Sequence, residues 1–460
     1  MASTEIRRTT GSTPTNAEKF TVSLWFKKSE DDQSVGLFGW RENSNSGNNN
    51  LFVRINGNGN FQIYFTSNNG NDNHITLLTN RVFRDCNSWY HAVISVDSSQ
   101  STTSDRVKLY INGVQETSFS SASYPASGRT FFSNDTQINF GKTRSTGDVD
   151  TYFDGIQSHI HFTDGTAYDA TAFGEYDANG VWTINTSPSV TYGNNGFWWL
   201  KDSIATTDYS PNSNSWSSGG GTLTKTEDCP SNVFNTFNPL DDYYEAGTFY
   251  NGNATYQTGT ASNKYGRNTS TLGMTSGKFY WEVKPVSVNT SIDYYPVIGI
   301  TASQITGSQD YVGKAATDYS WGTNQDGSST VKYNNNNNTA WGNHFALNSI
   351  VGVAVDLDNN KIYFSKDGVW QESGDPTSGS TGTGAAFTIT SASSTPLGAY
   401  FPSLSNYDGT GYVKFEANFG NGYFGTTAVS SAGTNASGIG IFEYDVPTGF
   451  TSLSTKGLNL

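Results

Sequence analysis

The amino-acid sequence predicts an all-β protein built of two tandem antiparallel β-sandwiches. Apolar and polar residues alternate in short runs along most of the chain, which is the period of a strand with one buried face. The runs are joined by polar turns rich in Asn, Ser, Thr and the 49 glycines. Aromatic residues make up 14% of the 460-residue chain, so they supply enough buried area for ordered cores although only 34% of the residues are apolar.

The first half of the chain contains one well-defined strand and one well-defined hairpin. The run FTVSLWF, Phe20 to Phe26, alternates as a half-buried strand does. The run RVKLYINGV, Arg106 to Val114, alternates in the same way and then turns on Asn112-Gly113, a pair that favours the type I′ hairpin.

The second half of the chain repeats this pattern. The run SIVGVAVDLDNNKIYFSKDGVW, Ser349 to Trp370, alternates, turns at Asn359-Asn360 and turns again at Asp367-Gly368. In the first half the corresponding order is WYHAVISVD, Trp89 to Asp97, followed by a longer loop and the aromatic hairpin. The shared order predicts two domains with a common strand and hairpin core.

The boundary between the domains is predicted from a stretch of weak alternation. Ser203 to Leu240 shows little periodicity and contains the flexible run SSGGG. The predicted organisation is an N-terminal segment (residues 1–18), a first sandwich (19–202), a linker (203–243) and a second sandwich with a C-terminal tail (244–460).

Charge and cysteine content exclude several classes of function. The 26 Lys and Arg residues against 40 Asp and Glu give a net charge of −14, which argues against a basic groove for nucleic acid or anionic lipid. No apolar run is long enough to insert into a membrane, and the first 20 residues lack the apolar core of a signal peptide, so synthesis in a cytosol is expected. Cys86 and Cys229 are far apart and are expected to be free thiols.

Motifs in both halves resemble known sandwich families. Those resembling the laminin G-like branch of the concanavalin A-like sandwiches are TVSLWFK (Thr21 to Lys27), WYHAVISVD (Trp89 to Asp97), VKLYINGV (Val107 to Val114) and YFDG (Tyr152 to Gly155). Those resembling a SPRY domain are GKFYWEV (Gly277 to Val283), VIGI (Val297 to Ile300), GVAVDLDNNKIYFSKDG (Gly352 to Gly368), YFPSLS (Tyr400 to Ser405) and NFG (Asn418 to Gly420). Both resemblances imply two-sheet sandwiches of the concanavalin A-like, or jelly-roll, type.

The tandem as a whole resembles virion proteins of tailed bacteriophages. The tail PTGFTSLSTKGLNL (Pro447 to Leu460) and the segment DGTAYDATAFGEYDANGVW (Asp164 to Trp182) contribute to this resemblance. It implies a protein that is made in the host cytoplasm and exposed on the surface of a virion. It also implies partners among other virion proteins and on the host surface.

Catalytic residues are not evident in the sequence. A glycoside hydrolase needs two carboxylates that flank one cleft, and a retaining pair along a strand of such a sandwich would read Glu-x-Asp-x-x-Glu, a string that does not occur here. Glu282 and Glu416 lie in predicted strands and are expected to face solvent. Nucleophile elbows and phosphate-binding loops are also absent from the sequence, so the protein is expected not to be an enzyme.

Two groups of residues are weak candidates for metal binding. His159 and His161 alternate on a predicted strand, but no third ligand follows from the spacing, and two surface histidines are the expected outcome. The laminin G-like resemblance implies calcium at the rim of the domain. The carboxylates that would bind it are Asp97, Asp148, Asp150 and Asp154. The metal ligands stay unknown, and no cofactor is expected, with calcium as the one alternative.

Aromatic residues in polar loops predict a ligand-binding site. Sugars stack their C–H faces on aromatic rings while neighbouring amides bond their hydroxyl groups. Trp321 in YSWGTNQDG and Trp341 in NNNTAWGNH fit this description, with Tyr311 and Tyr319 nearby in sequence. The SPRY-like resemblance implies recognition by loops at one end of the sandwich. The alternative is that these aromatics pack the loops onto the sandwich.

The leading functional hypothesis is a non-enzymatic adhesin on a phage virion, such as a tail fibre, that recognises a host-surface glycan or protein. Weak single sites gain avidity from several copies, so a homo-oligomer is expected, with residues 1–18 as a candidate virion anchor. Two alternatives stay open. One is a structural decoration protein or tail or head component, and the other is a polysaccharide depolymerase.

Overall fold

The structure is a computed structural model that describes residues 4–29, 33–42, 49–67, 72–143, 151–201, 207–221, 223–242, 245–259, 264–287, 295–323, 329–408 and 412–460. The chain divides into two compact units, Met1–Lys225 and Thr226–Leu460, and each has its own sheets and its own core. No helix in this described part of the chain is long and apolar enough to cross a membrane.

In its described residues, the first unit is built of short strands with two single-turn 3₁₀ helices, Thr103–Asp105 and Ala170–Ala172. Its strands are β1 (Glu5–Thr9), β2 (Lys19–Lys28), β3 (Val35–Glu42), β4 (Asn50–Ile55), β5 (Asn60–Ser67), β6 (Asp72–Val82), β7 (Tyr90–Asp97), β8 (Val107–Ile111), β9 (Val114–Glu116), β10 (Phe119–Ser123), β11 (Thr136–Phe140), β12 (Gly155–Asp164), β13 (Gly174–Tyr176), β14 (Trp182–Ile184), β15 (Phe197–Trp199) and β16 (Ser217–Gly219).

These strands form two antiparallel sheets and one separate hairpin. The larger sheet has the order β10-β6-β5-β4-β3-β11-β1-β16, the smaller has the order β15-β12-β2-β7-β8-β9, and β13 pairs with β14. Phe20, Val22, Leu24 and Phe26 are fully buried between the sheets, as their alternation predicts. The predicted hairpin is confirmed, because Asn112 and Gly113 adopt φ of 48° and 81° and connect β8 to β9.

The part of the second unit that the structure describes contains further strands and four short 3₁₀ helices, Gln371–Ser373, Pro376–Thr381, Ala392–Ser394 and Gly457–Asn459. Its strands are β17 (Thr248–Tyr250), β18 (Thr255–Gln257), β19 (Lys264–Thr269), β20 (Lys278–Ser287), β21 (Pro296–Thr301), β22 (Asp318–Thr323), β23 (Thr330–Asn334), β24 (Asn337–Ala340), β25 (Val351–Asp356), β26 (Lys361–Lys366), β27 (Val369–Trp370), β28 (Phe387–Thr388), β29 (Phe401–Asp408), β30 (Val413–Asn418), β31 (Tyr423–Phe424), β32 (Thr427–Ala428) and β33 (Thr451–Ser452).

Two sheets again enclose the core of this unit. One has the order β17-β18-β30-β20-β25-β26-β27, with β28 beside β26 and β33 parallel to β20, and the other has the order β19-β29-β21-β22-β23-β24. We call the second of these the groove sheet. The predicted hairpin of β25 and β26 is confirmed, and its alternating side chains Val351, Val353 and Phe364 are buried in the core. The all-β class with two tandem antiparallel sandwiches is therefore confirmed.

The ends of the predicted domains differ from the structure. Residues 1–18 were predicted as a segment outside the first sandwich, but β1 lies between β11 and β16 in the larger sheet of the first unit. Ile6 is the only buried apolar side chain of β1, so the pattern is too short to detect. The linker 203–243 is also partly built into the sandwiches, because Trp216 joins the first core and Phe237 the second. Single aromatic anchors in a Ser- and Gly-rich stretch give no periodic signal.

Three histidines on the outer face of the smaller sheet of the first unit are buried. His91 is fully buried, its ring stacks on Trp25 at 4.6 Å, and Trp182 donates its indole N–H to the Nδ1 atom over 3.0 Å. Because that nitrogen accepts, the Nε2–H of His91 donates to Ser23 Oγ over 2.8 Å. Burial lowers the pKa of His91 to about 3.

The expectation that His159 and His161 lie on the surface is wrong. His161 is 2% exposed and lies against Tyr192, Trp198 and Phe173, while His159 is 9% exposed. Burial, then the charges of neighbouring histidines, lowers the pKa of His161 well below its ordinary value. The segment that carries β13 and β14 covers this face of the sheet. The alternation of residues along β12 gives no sign that its outer face is covered.

Acid is predicted to destabilise the first unit through His91. Its folded pKa of about 3 lies below the ordinary value of 6.5, so the unfolded chain binds more protons between these two pH values. The free energy of unfolding should therefore fall as the pH drops from 6.5 toward 3, by up to ~1.4 kcal/mol per pH unit for this residue. The free energy of unfolding at each pH can be measured by hydrogen exchange of the backbone amides of β2 and β7, corrected for intrinsic exchange rates. His91→Gln should flatten the slope, and an equal slope in both proteins would contradict the assignment.

Candidate functional site

The four aromatic residues predicted to bind ligand do not lie together. Tyr319 and Trp321 lie in β22, and their side chains belong to the second core rather than to a loop. Trp321 is fully buried, and its indole N–H donates to the carbonyl oxygen of Trp341 over 3.1 Å. The expectation that Tyr319 and Trp321 present their rings in a loop is wrong, because YSWGT has the period of a strand and turns both rings to the core face.

Trp341 follows β24 and is half-buried beside the same core. Its ring packs edge-on against Trp321, with 5.8 Å between the centroids, and against Phe364 at 6.1 Å. For this residue the structure matches the alternative that loop aromatics pack onto the sandwich. Tyr311 is the remaining candidate, and it lines a groove.

The groove has a volume of about 640 Å³ and lies on the outer face of the groove sheet. We call it the tyrosine groove. The described residues that line it are Tyr265, Tyr295, Val297, Gln309, Tyr311, Lys314, Tyr333, Asn336, Asn338 and Tyr407. Five of these are tyrosines, three carry amides, one is a cation, and none of this described lining is a carboxylate.

The strands of the groove sheet explain why tyrosines gather on its outer face. Ile298 and Leu404 fill the core side of β21 and β29, so their sequence neighbours turn outward. The antiparallel pairing of β19 with β29 places Tyr265 directly opposite Tyr407. Tyr333 lies on β23 in a small outer cluster with Val297.

The five rings form a continuous series along the groove. Tyr295 is 6.2 Å from Tyr407, Tyr407 is 4.9 Å from Tyr265, Tyr265 is 5.1 Å from Tyr311, and Tyr311 is 5.5 Å from Tyr333, measured between ring centroids. Tilted and edge-on contacts at these distances are favourable for aromatic rings. The rings therefore hold one another in place along the floor and walls of the groove.

One wall of the groove is the loop of residues 302–317, between β21 and β22. Its centre is fixed by Val312, which is fully buried, and whose carbonyl oxygen accepts from Ser320 Oγ over 2.6 Å. Gly313 has φ of 125°, and a Cβ there would lie 2.3 Å from the Cβ of Tyr333. Only glycine lets the loop lie this close to Tyr333.

A buried ion pair holds the same loop to the groove sheet. Arg267 lies 3.4 Å from Asp318, and their side chains are 3% and 0% exposed. Arg267 also donates to the carbonyl oxygen of Tyr311 over 3.2 Å, and Asp318 accepts from the backbone N–H groups of Gly313 and Ala315. The ion pair therefore sets the position of the ring of Tyr311 through the backbone of its loop.

Polar groups of the groove are also arranged by the fold. The Tyr311 hydroxyl donates to the amide oxygen of Asn336 over 3.2 Å, and Asn336 lies in the left-handed turn between β23 and β24. Lys314 donates to Asp310 over 2.6 Å. Burial raises the pKa of Asp310, but hydrogen bonds from Lys314 and Thr306 outweigh this and lower it to about 2. The only cation of the described lining is therefore neutralised by a partner near neutral pH.

The two glutamates singled out in the sequence do not line the groove. Glu282 is fully buried, not solvent-facing as expected, and accepts hydrogen bonds from Tyr280, Asn418 and the backbone of residues 443 and 444. Glu416 lies two positions from Asn418 on β30, where burial raises its pKa. The contacts of Glu282 hold the C-terminal segment, so they give it a structural role.

No group of three or more His, Cys, Asp or Glu side chains suited to a metal ion occurs among the residues that the structure describes. Asp97 accepts from Lys19, Ser99 and Gln100. Asp154 is partly buried, and burial raises its pKa. Asp148 and Asp150 lie outside the described residues, so calcium stays an alternative to the expected lack of a cofactor.

Comparison with known proteins supports the fold of the first unit. Residues 4–165 match a laminin G family model described as the Concanavalin A-like lectin/glucanases superfamily. This is the superfamily implied by the sequence motifs of that half of the chain. Its fold suggests the binding of a carbohydrate or a protein. No curated protein sequence matches the chain.

Solved structures also show weak similarity. The SPRY domain of human HERC1 is 17% identical, with a TM-score of 0.29, over 39% of this chain and 96% of that one. A heptameric SAP-like pentraxin from Limulus polyphemus is 13% identical, with a TM-score of 0.27, over 36% and 72%. The TRIM65 PSpry domain is 12% identical, with a TM-score of 0.28, over 42% and 97%. Values this low say nothing about function.

Four tyrosines of the groove were missed in the sequence. These tyrosines lie on strands or at their ends, whereas the prediction considered only aromatic residues in polar loops. They are Tyr265, Tyr295, Tyr333 and Tyr407. The available signal was their position: tyrosines that alternate with core residues on a strand point to the opposite face. Which of two sheets carries them follows only from strand pairing, which the sequence does not show.

Removing the buried acid is predicted to release the groove loop. Asp318→Asn removes the ion-pair partner of the buried Arg267 cation, which should cost about 3 to 5 kcal/mol of unfolding free energy. Hydrogen exchange at Gly313 and Ala315 should rise, since both N–H groups lose their carboxylate acceptor.

The control is an exposed ion pair. Asp105 lies 3.2 Å from Lys108, with side chains 43% and 32% exposed, so Asp105→Asn should cost less than about 1 kcal/mol. Urea unfolding of the full chain compares the two variants. Equal effects would contradict the importance assigned to the buried pair.

Proposed function

We propose that the protein is a non-enzymatic adhesin of a phage virion that binds a host-surface glycan in the tyrosine groove. The observation that carries this proposal is the composition of the groove: a series of tyrosine rings flanked by Gln309, Asn336 and Asn338. Rings offer flat apolar faces to the C–H groups of a sugar, and amides both donate to and accept from its hydroxyls.

The same composition favours binding over turnover. Hydrolysis of a glycosidic bond needs a pair of carboxylates across the bond, and none lines the described part of the groove. The groove is also held by buried contacts before any ligand arrives, which lowers the entropy lost on binding. A concanavalin A-like match in the first unit is consistent with a carbohydrate-binding protein.

The setting on a virion is proposed from the resemblance of the tandem and its tail to phage proteins. In that setting the chain is a homo-oligomer with other virion proteins and the host surface as its partners, and it binds neither nucleic acid nor a membrane interior. Several copies on one particle turn weak single sites into firm attachment. This is how a shallow, neutral groove serves adhesion.

Truncating the central ring of the groove is predicted to weaken glycan binding. Tyr311→Ala removes the ring that contacts both Tyr265 and Tyr333 and should reduce affinity about tenfold, ~1.4 kcal/mol. A glycan array identifies the ligand, and calorimetry with that glycan measures the loss.

Tyr423→Ala is the matched control, because Tyr423 is a half-buried tyrosine of β31 outside the groove. It should bind as the unmodified protein does. An array with no binding above background, together with no adsorption to host cells, would refute the proposal. Equal affinity of the Tyr311 and Tyr423 variants would place the binding site elsewhere.

A further inference from the structure

A second cavity of about 510 Å³ adjoins the tyrosine groove. Lys314 lines both, so the same residue forms a wall of each. The loop of residues 302–317 supplies most of the polar lining of the second cavity, including Ser303, Gln304 and Thr306. Residues of this one loop thus line both cavities.

The lining of the second cavity combines polar and apolar surface. Hydroxyl and amide groups come from Ser303, Gln304 and Thr306, and Pro396 and Leu397 face them. Leu397 is 37% exposed, one of the few large apolar side chains in the described part of the chain that lie open to solvent. An apolar surface beside hydrogen-bonding groups is the surface that an amphipathic sugar ring requires.

Two carboxylates, Asp310 and Asp318, and two cations, Lys314 and Arg267, line the second cavity, and each carboxylate is paired with a cation within the protein. Lys314 is held by Asp310, and Arg267 is held by Asp318. Arg267 is 3% exposed, and the charge of Lys314 is offset by Asp310, so neither offers an anionic ligand an unpaired positive charge. The protein as a whole carries a net charge of −14, which also disfavours an anion.

A further group of acidic residues, near Tyr265, also disfavours an anionic ligand. A narrow cleft lined by Tyr265 and Arg267 is also lined by Asp241, Asp242 and Glu245. Lys264 lies 3.4 Å from Glu245 and offsets only part of this charge. The surroundings of the groove therefore repel carboxylate- and sulfate-bearing saccharides.

We propose that the two cavities form one extended binding surface for a linear, neutral polysaccharide that crosses Lys314. This inference rests on the proposed function and specifies its ligand: an internal stretch of an uncharged sugar chain rather than a single terminal sugar. The tyrosine rings bind one part of the chain, and the surface of Leu397 and Gln304 binds the next part.

The test is the dependence of affinity on chain length. The probe is an array of linear neutral saccharides, each present from mono- to hexasaccharide, beside uronate-containing and sulfated chains. The unmodified protein should bind the longest neutral chains at least tenfold more tightly than the disaccharides. It should bind the acidic chains more weakly than neutral chains of equal length.

The variant that separates the two cavities is Leu397→Ala. It should weaken binding of the hexasaccharide about fivefold and leave the disaccharide unchanged, because only the long chain reaches Leu397. Leu458→Ala is the matched control, since Leu458 has the same exposed fraction, 37%, and lies in the C-terminal 3₁₀ helix. It should change neither affinity.

The outcomes distinguish this inference from the proposed function. If Tyr311→Ala abolishes binding but affinity does not depend on chain length, the groove binds sugar and the extended surface is wrong. If acidic chains bind as well as neutral ones, the assigned ligand class is wrong. If no saccharide binds at all, the proposed function and this inference are both overturned.

Discussion

Each strand of a two-sheet sandwich must bury one face, and this constraint determines where the candidate site can be. In the groove sheet the core side takes Trp321, Ile298 and Leu404, which fixes the register of their strands. The opposite side then has to carry Tyr265 and Tyr407, opposite each other on β19 and β29. The positions of the groove rings are therefore a consequence of core packing, since a slip of one residue would exchange the two faces.

Both sheets of the second unit use a buried carboxylate to hold an outer segment. Asp318, with Arg267, anchors the groove loop, and Glu282 anchors the backbone of residues 443 and 444. Burial raises the pKa of Glu282 to about 7, although four hydrogen bonds favour its charged form. Such buried groups add little net stability compared with apolar packing. Their effect is to select one position for a segment that has little apolar surface of its own.

Sequence periodicity predicted the strands better than it predicted the site. The buried faces of the runs beginning at Phe20 and Val351 followed from alternation, because a period of two is a local property. Trp321 was assigned to a loop because polar neighbours masked a strand. Tyr311 was selected as an aromatic residue in a polar loop, and it does line the groove. The tyrosines that complete the groove come from strands that pair only after folding, so no local pattern brings them together.

A neutral, rigid groove implies a particular kind of recognition. Because the charges of Lys314 and Asp310 offset each other, this pair offers a sugar no net charge. The binding free energy must then come from ring stacking and from exchange of water for amide and hydroxyl partners, which gives modest affinity at a single site. Specificity would come from the fixed spacing of the rings, which the protein establishes as it folds. Modest sites in many copies give attachment that is strong overall while each contact can still exchange.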